Sequence, residues 1–544
     1  MPPGALARVH TACGGPPDNA TLSGSRSLAC PSHGYRARSR NNVAMQAAVS
    51  TPPAGSLAPS ATRGSPSGPA TAPHKRRSAL LLTALGSLAL IGVVGSCFLL
   101  AAGAAGEPSQ YVPARSGGWP GWLAGPYEGL GKSLSAGSFQ TLTLVMCGCY
   151  LAVLLAARSL PWHALALAIL AAHVALLLGP PLISQDVFGY LGFARMGALH
   201  GLDPYTRVAA EAPADPVLYY LGWPYQHSPY GPLFTLGSYA TAPLGLAGGL
   251  WALKAAVCAS SLGAVALVAR ASALLGRSAR WAAAFVGLNP VLLVLALGGA
   301  HNDTLILLTI AAALALSAGT QPRLRAAAGA LVAGVGVKLT AGLALPFLLL
   351  APARLRERGA LAASALASMC GLAAVALLGF GGHALGFLGA VGEQQQLVAV
   401  HSIPAETARL VGLHGTPSWW RHLFAAAFVA VVLFALWRTA RGADWRTAAG
   451  WTTLALLVST AWLLPWYAIW ALPLAAVSAD RRLRAATLVV CAYAILIHLP
   501  LAEGLLTPPR PVARHGTPLR APRGNRLELT GFKVLDDRVL DFGR

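Results

Sequence analysis

Several short polar stretches interrupt an otherwise apolar chain, and their residue types suit chemistry on hydroxyl and phosphate groups. The first, ISQDVFGYLGFARMGALHGLDPYT (183–206), follows about twenty almost purely apolar residues and supplies Asp186, Tyr190, Arg195, Asp203 and Tyr205, with Arg207 just beyond. An ionised carboxylate at Asp186 can act as general base on a hydroxyl or hold a cation. Its structural alternative is a helix cap, since Ser184 and Asp186 both suit the start of a helix through 187–199. Tyr190 stands one turn later on the same helical face as Asp186. HGLDPYT (200–206) reads as a turn from its Gly and Pro, or as a second wall of the Asp186 site through Asp203 and Tyr205.

Six further stretches carry polar or aromatic groups. GWPYQHSPYGPLF (222–234) combines Trp223, Tyr225, His227 and Tyr230 with three prolines. These aromatics are either a membrane-interface belt or surfaces on which sugar rings stack. GGAHND (298–303) places His301, Asn302 and Asp303 between two apolar runs, as a hairpin turn or as hydrogen-bonding groups for sugar hydroxyls and phosphate oxygens. Lys338, in GVGVKLTAG, is an isolated cation in an apolar run. It either snorkels or faces an anionic lipid head from the protein interior. Arg195 and Arg207 compete for a phosphate role, because a guanidinium binds phosphate oxygens as a fork. In LLPWYAIWALP (463–473), Trp466, Tyr467 and Trp470 form an aromatic turn, as belt or as substrate wall. EQQQ (393–396) and HSIP (401–404) read as solvated loop that could meet an acceptor.

The elements that must position these groups are membrane helices. Of 544 residues, 55% are hydrophobic and only 11% charged, with mean hydropathy +0.58. A soluble chain carries roughly twice that charge fraction. Apolar runs near 20 residues recur, the length that crosses about 30 Å of hydrocarbon. The fold expected is an all-α polytopic membrane protein.

The formal charge of +22 does not point to nucleic acid. Basic residues are split into short clusters between apolar runs, such as RASALLGRSAR (270–280), QPRLR (321–325), ARLRERG (353–359) and DRRLR (480–484), as cytoplasmic loops are under the positive-inside rule. A nucleic-acid groove would need contiguous basic surface interleaved with stacking aromatics. The eight cysteines are scattered, and C-x-C at 147–149 is neither a zinc nor a redox spacing by itself. Residues 1–76 read as a disordered basic tail rather than a signal peptide, 77–504 as the membrane domain and 505–544 as a basic C-terminal tail. The terminal DFG (541–543) lacks the other kinase motifs and carries no meaning.

Counting spans from HKRR (74–77) at the cytoplasmic side gives about 13. In that count 229–248 is interfacial or re-entrant, 250–270 crosses, and two short helices meet near Lys338. Glu107, Glu128, Asp186, Asp203, Glu211, Asp215, Asp303, Glu393 and Glu406 then fall outside, while Glu357, Asp444 and Asp480 fall inside among arginines. The polar chemistry is therefore expected on one face, with GGAHND at the outer surface. A secondary transporter or flippase would instead place its polar residues near the midplane on broken helices, within an inverted repeat. No such repeat is visible.

SQDVFGYLGFARMGALHGLDPYT, SPYGPLF, NPVLLVLALGGAHNDTLIL, GVKLTAGLALPFLLL and PWYAIWALPLA occur in the order found in actinobacterial polyprenyl-phosphomannose-dependent α-1,6-mannosyltransferases. The chain resembles that family over roughly residues 78–500. The resemblance implies a GT-C glycosyltransferase bundle in the plasma membrane, with its site at the extracytoplasmic face. It also implies a polyprenyl-phosphate mannose donor, a mannosylated lipid acceptor and an α-1,6-mannan core as product. The family's acidic motif, often two carboxylates, is represented by Asp186 alone between Gln185 and Val187. That favours a base over a metal ligand, with a divalent cation (Mg or Mn) as the alternative. On this reading Asp186 deprotonates the acceptor hydroxyl. Lys338, or Arg195 with Arg207, stabilises the leaving phosphate, and His301, Asn302 and Asp303 position a substrate. Tyr190, Asp203, Tyr205, His227, Tyr230, Trp466 and Tyr467 complete the expected binding set.

Overall fold

A computed structural model describes residues 72–106 and 120–506 of the protein. The chain divides into two units, Met1–Gly68 and Pro69–Arg544, and all described residues belong to the second. Most of both expected tails, and Glu107 with most of the loop around it, lie outside the described residues. Within them the structure is helical throughout and contains no β-strand. This is a polytopic membrane protein. Five helices are long and apolar enough to cross a bilayer: Leu80–Gly106, Ala136–Ala156, the run Pro232–Leu274, Leu355–His383 and Ser418–Ala440. A sixth span forms if Ala279–Gly287 and Val291–Leu297, bent by 43°, are taken together.

The expected count of about 13 is not confirmed by helix length, and the physical reason lies in the breaks. Five of the apolar runs form helices of only 10–17 residues, at Trp162–Leu178, Asp303–Leu316, Leu324–Val335, Leu339–Leu350 and Pro465–Val477, short of the length that crosses a bilayer. The bend after Gly287 has a clear cause. Pro290 supplies no backbone N–H, so the helical ladder is interrupted there. Asn289 takes over locally: its Oδ1 accepts from the Val291 amide at 3.0 Å, and its Nδ2 donates to the Tyr150 hydroxyl at 3.2 Å. That hydroxyl donates in turn to the Phe285 carbonyl at 2.7 Å. A buried break is tolerated in a membrane only when its freed groups are satisfied in this way.

The stretch 229–248 forms a short helix, Pro232–Tyr239, and a single turn before the 30-residue helix Gly245–Leu274. Deep in that long helix, the buried Lys254 ammonium donates to the carbonyls of Leu176 and Gly179. It thereby satisfies the open end of Trp162–Leu178 just before the chain reaches Asp186. Lys338 sits in extended backbone at the junction between helix Leu324–Val335 and the 3-10 segment Leu339–Ala344.

Three backbone hydrogen bonds fasten that junction to the SPYGPLF stretch: Gly231 N–H to the Val337 carbonyl at 2.9 Å, and Leu233 and Phe234 N–H to the Gly336 carbonyl at 2.8 and 3.1 Å. A Cβ on Gly231 would stand 2.5–2.6 Å from backbone atoms of Gly336 and Val335, which cannot move aside as a side chain would. Gly231→Ala is therefore expected to cost about 1–3 kcal/mol, the usual penalty for overpacking a close contact. It should appear as a lower unfolding midpoint of the purified protein in detergent.

Candidate active site

Four segments converge on one buried polar cluster. The first is the loop 182–186 leading into helix Asp186–His200. The second is the Gly298–Gly299–Ala300 turn that joins the π-helical segment Val291–Leu297 to helix Asp303–Leu316. The others are the Lys338 junction and the 3-10 turn Pro465–Ala471. The first two are tied together by the Leu182 N–H, which donates to the Gly298 carbonyl at 2.9 Å.

Each of these two carries backbone strain. Ile183 (φ 69°) and Ala300 (φ 55°) are the non-glycine residues with positive φ among the described residues. Both stand within three residues of the reactive side chains, at Asp186 and His301. Such conformations cost about 1–3 kcal/mol and persist where the surroundings enforce them, commonly at functional sites. Gly298 and Gly299 leave no room for a Cβ, which would meet the Val294 carbonyl at 2.4 Å and the His301 ring at 2.6 Å respectively.

This geometry decides what Asp186 does. Its own amide donates to the Ser184 hydroxyl at 3.1 Å, and the helix has no side-chain cap at Gln185. The carboxylate turns instead to His301, whose Nδ1 lies 3.3 Å from Oδ2. His301 is fully buried, while Asp186 keeps 18% of its side chain exposed. The imidazole lies flat on Trp466, ring centroids 3.7 Å apart at 19°. Burial pushes the Asp186 carboxyl upward, but His301, the Lys338 charge and the Ser184 hydroxyl outweigh it, so its pKa lies below the ordinary carboxylate value. Asp186 belongs to none of the helices that satisfy the length and apolarity of a span.

Below this pair lies a second one. Asp303, 1% exposed, accepts at Oδ1 from the Lys338 ammonium (3.0 Å) and from the Trp470 indole N–H (2.9 Å). The ammonium also stands over the Tyr467 and Trp470 rings, 4.3 and 5.3 Å from their centroids, and 6.0 Å from that of Tyr230. Tyr467 and Trp470 are themselves stacked. Asn302 serves the scaffold: its amide donates to the Tyr190 hydroxyl and its Oδ1 accepts from it, both at 3.3 Å. Tyr190 packs edge-on against Tyr230 at 5.1 Å.

The structure thus brings together Asp186, Tyr190, Tyr230, His301, Asn302, Asp303, Lys338, Trp466 and Tyr467. For GGAHND, read as a hairpin turn or as hydrogen-bonding groups, the structure has His301, Asn302 and Asp303 all buried within the protein. Trp470, which binds Asp303 directly, stood outside the expected set although it lies one turn from Trp466. The remaining residues are engaged elsewhere. Arg195, nine residues and about 13 Å along the helix from Asp186, pairs with Asp215 at 2.8 Å, and His200 joins that carboxylate at 2.7 Å. Arg207 pairs with Glu211 on the surface. Asp203 accepts from the Tyr205 amide and pairs with His383, both at 2.9 Å. The Tyr205 hydroxyl donates to the Tyr230 carbonyl at 2.9 Å, while its ring packs on Phe380 and Phe387. His227 pairs with Glu393 at 3.3 Å. These residues fasten the 200–230 region to neighbouring loops.

The Asp215 knot has a pH signature. Burial raises its carboxyl pKa, but Arg195, His200 and the Val217 amide outweigh that and set it below the ordinary value. A depressed carboxyl stabilises the fold above its unfolded pKa, and that contribution is lost as pH falls through the folded one. Asp215→Asn is expected to lower stability by about 2–3 kcal/mol near pH 7. The gap from the parent should close below about pH 4, as read by unfolding midpoints at both pH values.

A divalent ion does not fit the donor set of the cluster. Hard cations take six or more oxygens, usually with several carboxylates. Here Asp303 is taken up by an ammonium and an indole, and the neighbour of Asp186 is an imidazole. Among the described residues no group of three or more His, Cys, Asp or Glu is gathered for a metal.

Residues 89–354 match the family model described as alpha-(1->6)-mannopyranosyltransferase, N-terminal domain, and residues 407–515 match the MptB C-terminal domain. The chain belongs to the alpha-(1->6)-mannopyranosyltransferase family. It is 30% identical over 338 residues to alpha-(1->6)-mannopyranosyltransferase A of Mycobacterium tuberculosis, covering 56% of this chain and 64% of that one. It is 31% identical over 184 residues to the protein of the same name from Corynebacterium glutamicum, covering 32% and 36%. The chain therefore spans less than two thirds of each of these relatives. No solved structure matches. The cluster draws on both family regions: Asp186 through Lys338 come from the N-terminal one, and Trp466, Tyr467 and Trp470 from the C-terminal one.

Proposed function

We propose that this protein is a membrane mannosyltransferase that moves mannose from polyprenyl-phosphate mannose to the 6-hydroxyl of a growing α-1,6-mannan on a lipid anchor. The observation that carries the reading is the pair Asp186–His301. It combines a partly exposed carboxylate of lowered pKa, aimed away from its own helix, with a buried imidazole held on an indole. The family relatives, named for α-(1→6)-mannopyranosyl transfer, supply the sugar and the linkage.

Asp186 accepts the proton of the acceptor hydroxyl as its oxygen attacks the anomeric carbon. The bond from that carbon to the phosphate oxygen breaks, and its electron pair leaves with the polyprenyl phosphate. Direct displacement inverts the anomeric centre, so an α product requires a β-linked donor. Lys338 spends one ammonium hydrogen on Asp303 and retains two donors for the departing phosphate. A lipid-linked donor lets the reaction proceed at the extracytoplasmic face of the plasma membrane without a nucleotide sugar.

The test is a transfer assay on isolated membranes with labelled polyprenyl-phosphate mannose, followed by linkage analysis of the product. Label in an α-1,6-linked mannan is the expected result. Label in another linkage, or no label above that of membranes lacking the protein, would overturn the reading.

A further inference from the structure

Helix Asp303–Leu316 starts in the candidate active site, and its 14 residues carry the chain about 20 Å to its other end. There the Ser317 carbonyl accepts from Arg446 Nη2 at 3.3 Å. Arg277, just past helix Gly245–Leu274, feels the charges of Asp444 and Arg446, and Arg484 those of Arg277, Arg481 and Arg158. Arg280 donates to the Leu160 carbonyl at 2.9 Å and so ties the Arg158 loop to the same end. Loops that are far apart in sequence thus share one arginine cluster.

The cluster is short of negative charge. Asp444 and Asp480, the acidic residues of these loops, are spent on helix starts. Asp444 accepts from the Thr447 hydroxyl at 2.8 Å and from Arg446 Nη1 at 3.1 Å. Asp480 accepts from the Arg482 amide at 2.8 Å and the Trp451 indole N–H at 2.9 Å. Arg277 Nη1, Arg446 Nε and Arg484 Nε are buried and find no hydrogen-bond partner among the described residues. A buried charged donor without an acceptor is costly, so three of them in one cluster call for an anion. Helices Ala279–Gly287, Trp445–Ser459 and Arg481–Leu496 begin in the same loops and add the partial positive charge of their N-termini.

The rim favours one kind of anion. Leu155 and Leu274 stand three residues before Arg158 and Arg277 and are 78% and 44% exposed. Both lie at the ends of helices able to span a bilayer. An anion beside these arginines sits where head groups meet acyl chains, on the side that the positive-inside rule assigns to the cytoplasm.

We propose that this cluster binds the phosphate of an anionic phospholipid, at a site separate from that of mannosyl transfer. The guanidinium groups take the phosphate oxygens as forks, and the acyl chains lie against the apolar rim.

Unfolding midpoints of the purified full chain in a neutral detergent test this. Phosphatidylglycerol, phosphatidylcholine of the same acyl chains, or inorganic phosphate is added. Phosphatidylglycerol is expected to raise the midpoint by about 3–6 °C, because it binds the folded state alone. The other two should leave it unchanged. Arg277→Gln should lose most of that rise, and Arg277→Gln combined with Arg481→Gln nearly all of it. Without lipid both variants should unfold with the parent or above it, since each removes a like charge from a crowded set. The control, Arg325→Gln with Arg356→Gln, changes two exposed arginines of other loops and should keep the whole rise. An equal rise with phosphatidylcholine marks general lipid solvation, and an equal rise with inorganic phosphate marks a soluble anion. An equal loss in the control marks net charge alone. Each of these overturns the proposal, as does a parent without a rise or an Arg277→Gln variant that keeps all of it. The single variant decides if the double one does not accumulate.

Discussion

Asp186→Asn is expected to lower mannosyl transfer in isolated membranes by about 10²–10⁴-fold, the range a positioned general base contributes. The amide keeps the shape of the carboxylate, so the unfolding midpoint and the amount of protein in the membrane should stay close to those of the parent. The loss should fall on kcat, because proton removal strengthens only in the transition state. Asp186→Glu should retain part of the activity, since it moves the base by one methylene without removing it. The lowered pKa of Asp186 adds a pH signature. A base that is ionised well below neutrality puts the acid limb of the rate profile under about pH 4, with no inflection from this group between pH 5 and 8. A variant Asp186→Asn retaining more than a tenth of parental transfer would remove Asp186 from the base role.

The second large effect is on stability. Lys338→Met leaves the Asp303 carboxylate, 1% exposed, with only the Trp470 indole against its Oδ1. Breaking a buried pair by removing one partner typically costs about 3–5 kcal/mol, because the remaining charge has no compensation. The same single change withdraws the cation from beneath the Tyr467 and Trp470 rings. Asp303→Asn should cost less, since Lys338 is 12% exposed and can reach solvent. Combining Lys338→Met with Asp303→Asn should recover much of the stability, measured by thermal unfolding in detergent, without restoring transfer. A double variant as unstable as Lys338→Met alone would show that the pair is not the source of the loss.

The membrane class was legible in the sequence because it depends on composition and run length, which tertiary packing does not alter. The apolar fraction, the scarce charge and the runs near 20 residues admit no soluble fold. Asp186, the HND triplet, Lys338 and the PWY turn stood out for a related reason: a polar group among apolar neighbours is costly unless something receives it. The motifs also carried the family resemblance. The number of spans was less legible, because Pro290 breaks the run 281–299, which composition alone reads as continuous, and several other runs form helices too short to cross.

The partners of each polar group were decided only by tertiary structure. Arg195 and Lys338 are both isolated cations in sequence. Asp215, folded back from a loop twenty residues on, takes Arg195, while Asp303 holds Lys338 in the cluster. Asp203 and Tyr205 look like a second wall of the site, yet His383 and the Tyr230 carbonyl claim them. Asp186 could have capped its helix, but the strained turns at Ile183 and Ala300 set its carboxylate opposite His301. The sequence by itself determined which side chains had to find a partner. Which partner each found depended on contacts between residues far apart in the chain, 180 positions for Asp203 and His383, and no local pattern encodes those.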